Sequence, residues 1–197
     1  MTITNDLFWS KQALTVCSKI NGRLGVLHRL RHVLNTNMRL RLCNAFVMPV
    51  FTYCLPIWGN CPIGSQNILN KCLSKCIRYI LNNNTLDFSK DVFSSTNICN
   101  FKLSLLYANV TELFKIIHLR PIDDFTTFVL LSSMSQRTSR AAESYKIVLP
   151  RLRNKCNDLC FLIGGGRDWN SLPNGLTSIT NYANFQTNLI KFVKSQF

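Results

Sequence analysis

Carboxylates are scarce in this chain: Asp and Glu number 9 in 197 residues against 23 Lys and Arg, giving a formal net charge of +14 and a pI near 9.7. That shortage excludes much chemistry. Two-metal phosphoryl transfer needs convergent carboxylates, and the single adjacent pair, Asp123-Asp124, follows Arg120-Pro121-Ile122, with Pro121 where a catalytic hairpin carries an aromatic residue. Acidic residues in the first turn of a helix beginning at Pro121 are accounted for by the helix dipole alone. No serine stands in a nucleophile elbow, and the three histidines form no partner pattern. Gly164-Gly165-Gly166-Arg167 lacks the lysine and hydroxyl residue of a P-loop and reads as a turn. There is no internal repeat, and Asp6 interrupts an N-terminus that has neither the basic nor the apolar part of a signal peptide.

Long apolar spans are also missing. Residues 42–70 carry no charge, but the apolar part, Leu42 to Trp58, is broken by Pro49 and Pro56 and followed by Gly59-Asn60-Cys61-Pro62. It falls short of the roughly 20 residues that a membrane helix needs. A buried helix, bent at Pro49 and followed by an ordered aromatic turn, is expected instead. Cysteine is plentiful, at 9, and the odd number without a leader points to reduced thiols in the cytoplasm or nucleus. Cys72/Cys76 and His28/His32 have the i,i+4 spacing of zinc ligands. Cys72 and Cys76, however, fall among Leu69, Leu73, Ile77 and Ile80, where a thiol acts as a small hydrophobe. Cys156 and Cys160 have no nearby histidine, so no metal or other cofactor is expected.

Apolar content of 47% is ample for a core, and the periodicity predicts a mainly α protein in two lobes: a helical bundle over 1–82 and a looser, mostly helical lobe over 83–197. Leu7, Leu14, Ile20, Leu24, Leu27 and Leu34 recur at helical spacing, with Gly22 and Gly25 as breaks, so one interrupted helix or two short ones fit. Asn35 or Thr36 caps the next helix, whose residues from Leu40 to Cys54 are apolar almost all round. Residues 64–82 form the cleanest amphipathic pattern, with Ile68, Leu69, Cys72, Leu73, Cys76, Ile77, Ile80 and Leu81 on one side and Lys71, Lys75 and Arg78 opposite. Asn82-Asn83-Asn84-Thr85 breaks the chain. A further helix is predicted from Thr96 or Asn97 to His118, an exposed basic connection over 132–155, and a short last helix from Phe185 to Phe192.

Several stretches occur in an order that resembles the C-terminal part of non-LTR (LINE-type) retrotransposon reverse transcriptases. They are Phe8-Trp9, Leu27-His28-Arg29-Leu30-Arg31, the segment Leu40 to Gly59 with Tyr53-Cys54-Leu55-Pro56-Ile57-Trp58-Gly59, and residues 68–81. Gln136-Arg137-Thr138-Ser139-Arg140, Leu149-Pro150-Arg151-Leu152-Arg153 and Trp169-Asn170-Ser171-Leu172-Pro173, with Phe185 and Phe192 behind, follow in turn. The resemblance covers essentially the whole chain and implies a thumb-like module and post-polymerase region of an RNA-directed DNA polymerase, one that would hold template and primer. The palm, with its aromatic-x-Asp-Asp hairpin and upstream aspartate, has no counterpart here. The chain is therefore expected not to be an enzyme on its own. The resemblance assigns no chemistry to Trp169 or Pro173, which are expected to pack the C-terminal lobe.

The charge distribution indicates how such a module would bind. Residues 1–82 hold ten Lys or Arg and only Asp6, a net of +9, and residues 137–155 form a second basic stretch. Arg29, Arg39, Arg41, Lys71, Lys75 and Arg78 are the candidate phosphate contacts of the first patch, and Arg137, Arg140, Arg151, Arg153 and Lys155 those of the second. The expected partner is RNA or an RNA/DNA hybrid held by its backbone, with the remainder of a reverse transcriptase as a further partner and no small-molecule substrate. Two other readings stay open: an inert remnant of a transposable element, and a membrane-surface protein using residues 42–58 beside Arg39 and Arg41.

Overall fold

The computed structural model describes residues 8–83, 88–119, 146–149 and 160–197. It is mainly α, as its sequence predicts, with no β-strand among the described residues. Two compact units part between Leu105 and Leu106. This boundary falls later than the asparagine-rich break at 82–85, because the chain beyond that break still feeds the first unit's core. Phe101 packs edge-on against Phe51 at 5.9 Å, and its backbone N–H donates to Asn70 Oδ1 at 2.7 Å.

The first unit begins with α1 (Ser10–Arg29), a single helix that passes through Gly22 and Gly25. The expected break does not occur, since tertiary burial of Ala13, Val16, Cys17, Ile20, Leu24 and Leu27 outweighs the roughly 1 kcal/mol that each glycine costs. Leu14, placed on the buried stripe by its spacing, is 54% exposed. Asn35 caps α2 (Thr36–Leu42), its Oδ1 accepting the Met38 N–H at 2.9 Å. The segment expected to be one bent helix is α2, a π-helical turn at Cys43–Val47, and α3 (Met48–Thr52). Proline supplies no N–H and crowds the carbonyl four residues back, and the chain absorbs Pro49 by widening one turn, Met48 N–H donating to Cys43 O five residues earlier. Burial is one-sided, not all round: Cys43, Val47, Phe51 and Leu55 face inward at i,i+4 spacing, while Phe46 and Tyr53 are exposed.

Cys54 then takes a left-handed conformation and starts α4 (Leu55–Trp58). Trp58 is fully buried and donates its indole Nε1–H to Tyr53 O at 2.8 Å, so the expected aromatic turn is present and ordered by its own tryptophan. No helix among the described residues is long and apolar enough to cross a membrane.

α5 (Ile63–Leu81) matches the predicted amphipathic helix, with Leu69, Cys72, Leu73, Cys76, Ile77 and Ile80 buried, but Ile68, expected on that face, is exposed. It runs parallel to α1: Asn21 pairs with Lys75 and His28 with Tyr79, both numbers rising together. A parallel pair needs a connection that returns along its length, and residues 30–62 supply it. The helix predicted from Thr96 or Asn97 starts later, as α7 (Phe101–Phe114), where Asn100 Oδ1 accepts the Leu103 N–H at 2.9 Å; an unpredicted helix, α6 (Lys90–Thr96), capped by Ser89 and ended by left-handed Asn97, precedes it. A π-helical turn, Lys115–Leu119, extends α7.

The second unit adds α8 (Phe161–Asn170), α9 (Asn174–Thr177) and α10 (Tyr182–Ser195). Its core stacks Phe114 on Phe185 at 4.2 Å and Trp169 on Phe185 at 6.0 Å, with Val110, Leu113, Leu172, Leu176 and Leu189 around them. Gly164-Gly165-Gly166 is not the expected turn; all three glycines lie inside α8. Close packing explains them: a Cβ on Gly165 would sit 3.2 Å from Leu113 Cδ1, and one on Gly166 would sit 2.5 Å from Leu149 Cδ2.

Candidate nucleic-acid interface

The most basic described surface belongs to the first unit, where α5 buries its thiol and leucine face and so turns Lys71, Lys75 and Arg78 outward. Their i, i+4, i+7 spacing sets three cations along roughly 10 Å of helix axis. Lys75 is held in place, its Nζ donating to Asn21 Oδ1 on α1 at 3.1 Å. Because α1 and α5 are parallel, their C-terminal turns lie at one end of the unit, bringing exposed Arg29 to the same end as exposed Arg78. Arg41, exposed on the last turn of α2, joins them, since its neighbour Arg39 reaches the C-terminal turn of α5. Cations at helix C-termini are favoured by the dipole whatever else they bind.

Arg39 is not part of this surface. It is buried, 8% exposed, and its Nη1 donates to Tyr79 O at 3.2 Å. That carbonyl belongs to the last turn of α5, so Arg39 caps the helix. The sequence held a signal for this: Arg39 stands four residues before Cys43 on the inward stripe that continues through Val47 and Phe51. Sequence reasoning also missed Arg23, whose Nη1 donates to the Phe46 carbonyl beside the π-helical turn.

Arg137, Arg140, Arg151, Arg153 and Lys155, the second expected patch, lie outside the described residues, as does Asp123-Asp124. Counter-charge near the first patch is sparse: Asp91 is the one acidic side chain among the described residues of the first unit. In the second unit Glu112 pairs with Lys115 at 2.7 Å, and Asp168 accepts from Asn109 Nδ2 at 2.7 Å. Among the described residues, the ridge on α5 and the arginine end thus carry cations with little opposite charge in their own unit.

The zinc spacing dissolves on folding. Cys72 and Cys76 are buried in the core face of α5, and His28 packs edge-on to Tyr79 at 5.1 Å. No group of three or more His, Cys, Asp or Glu side chains converges as a ligand set among the described residues. Trp169 is 1% exposed and packs the second unit's core, leaving no face for base stacking. No family model, curated protein or solved structure matches the chain.

Proposed function

We propose that this chain is a non-catalytic nucleic-acid-binding module, of the kind that the thumb and post-polymerase region of a non-LTR reverse transcriptase would provide, and that it holds RNA or an RNA/DNA hybrid by phosphate contacts without reading sequence. The observation that carries this is the outward ridge Lys71, Lys75 and Arg78, continued by Arg29 and Arg41, in a unit whose described residues offer one acidic side chain. Binding of this type is driven by release of the condensed counterions, so affinity falls as salt rises. The basic residues from Arg137 to Lys155 add a second contact region by sequence.

Titration of the full chain with a primed RNA/DNA hybrid, single-stranded RNA and duplex DNA across a salt series tests the proposal. Tighter binding of the hybrid with a steep salt slope supports it. Equal, weak binding of every polyanion overturns it in favour of an inert remnant whose charge is inherited and unused.

A further inference from the structure

Phe46 and Tyr53 are the only exposed aromatic side chains among the described residues, at 54% and 64%. Apolar residues exposed singly and at random need no explanation, but these two stand together. They occupy positions i and i+7 of the segment that runs from the π-helical turn to the C-cap of α3, a spacing that sets both on one flank, about 10 Å apart along the axis. Phe51, on the inward stripe of the same segment, is fully buried and packs edge-on against Trp58 at 6.4 Å and Phe101 at 5.9 Å. The core takes one of the three rings and leaves two in solvent.

Cations border the rings. Arg23, exposed on α1, donates from Nη1 to the Phe46 carbonyl, and exposed Arg41 precedes Phe46 on the last turn of α2. Arg41 also belongs to the arginine end described above, so the ring flank and the phosphate surface meet there. Residues 42–70 carry no charge of either sign. A lipid surface or a second copy of the chain would also cover exposed rings. The bordering arginines, with exposed Asn44 and Thr52 on the same segment, favour a partner that combines anionic groups with flat apolar faces.

We propose that Phe46 and Tyr53 are stacking platforms for unpaired bases, and that the substrate is a hybrid whose template strand runs on past the duplex. The α5 ridge and the arginine end hold phosphates, and the two rings take bases of the single-stranded extension, with Arg23 and Arg41 neutralising its backbone. Every base has a π-face, so such stacking tolerates any sequence. Bases within a duplex are covered by their neighbours, and the rings therefore contribute only where the strand is unpaired. This inference rests on the nucleic-acid reading above and specifies its substrate.

The test compares binding of the full-length chain to an RNA/DNA hybrid with a single-stranded RNA extension and to the same hybrid with blunt ends, across a salt series. The expected result is that Phe46→Ala and Tyr53→Ala each weaken binding of the extended hybrid by about 5- to 100-fold, leave the blunt hybrid and the salt slope as in the parent, and keep the parent's circular dichroism. Tyr53→Phe should retain parent affinity. Irradiation of an extension carrying 5-iodouridine should cross-link the peptide that contains Phe46 or Tyr53. Equal affinity of the two alanine variants and the parent for the extended hybrid, or equal loss on both hybrids, overturns the inference while a steep parent salt slope leaves the phosphate reading standing; a parent that binds neither hybrid in a salt-dependent way overturns that reading itself. Loss of sedimentation with anionic vesicles, or of self-association, in variants that bind the extended hybrid like the parent assigns the rings to a lipid surface or a second copy and overturns the inference.

Discussion

Asn170 and Ile147 are joined by two hydrogen bonds: Asn170 Oδ1 accepts the Ile147 N–H at 2.8 Å, and Asn170 Nδ2 donates to Ile147 O at 2.9 Å. A side-chain amide thus stands in for a peptide group and ties residues 146–149 to the end of α8, next to Trp169 in the core. The segment Trp169-Asn170-Ser171-Leu172-Pro173 is explained throughout by such structural work. Ser171 Oγ donates to Asp168 O at 2.6 Å, Leu172 is buried, and Pro173 stands at the N-cap of α9. Asn170→Ala should lower the second unit's stability by about 1–3 kcal/mol, since it leaves both backbone groups of a buried residue unpaired. Urea denaturation followed by circular dichroism measures this; an unchanged midpoint would deny the pairing any role.

Glycines divide by what surrounds them. A Cβ on Gly59 would lie 2.4 Å from Leu105 Cδ1 and 2.5 Å from the Leu55 carbonyl oxygen, and a carbonyl within a helical turn cannot step aside. Gly59→Ala should cost about 1–3 kcal/mol through overpacking. Around Gly22 and Gly25 nothing lies within 4 Å. Alanine at either site should stabilise α1 by about 0.5–1 kcal/mol. Opposite signs in thermal melts are the expected outcome, and destabilisation by Gly22→Ala would mean that something other than helix propensity selects the glycine.

Arg39 and the α5 ridge should separate cleanly in experiment. Arg39→Ala removes a buried cap on the Tyr79 carbonyl together with its packed aliphatic stem, and should lower stability by about 1–3 kcal/mol. The variant's nucleic-acid salt slope should stay as in the parent. Replacing Lys71, Lys75 and Arg78 by Glu should do the reverse, flattening the slope by about one per lost phosphate contact while helicity is kept. If the triple variant retains the parent slope, the ridge lies outside the binding site.

His118 should make the second unit acid-sensitive. Its ring packs 4.5 Å from Phe114, and its Nε2 is buried without a hydrogen-bond partner among the described residues. Burial holds its pKa below the ordinary 6.5. A depressed folded-state value means that the unfolded chain takes up its proton first. This contribution to stability is complete above about 6.5 and is lost as pH falls towards the folded-state pKa. His118→Phe should reduce the fall in thermal midpoint between neutral and mildly acid buffer; an unaltered pH profile would place the loss on another group.

What the sequence determined by itself is what depends on neighbours close along the chain. The apolar face of α5, the Asn35 cap, the aromatic turn closed by Trp58 and the inward role of Trp169 all follow from helical periodicity, short-range hydrogen bonding and the drive to bury large rings. Tertiary structure decided whatever depends on which distant residue comes within a few ångströms. Gly165 and Gly166 are helical because Leu113 and Leu149 lie against α8, a fact no local pattern carries. Arg39 left the basic surface because α2 ends beside the open carbonyls of α5. The unit boundary moved to Leu105 because Phe101 found Phe51 and Trp58. Asn21 and Lys75, 54 positions apart, became partners because residues 30–62 return the chain to lay α5 parallel to α1. Local propensities are worth tenths of a kcal/mol to about one per residue, and a buried ring or a close approach outweighs them.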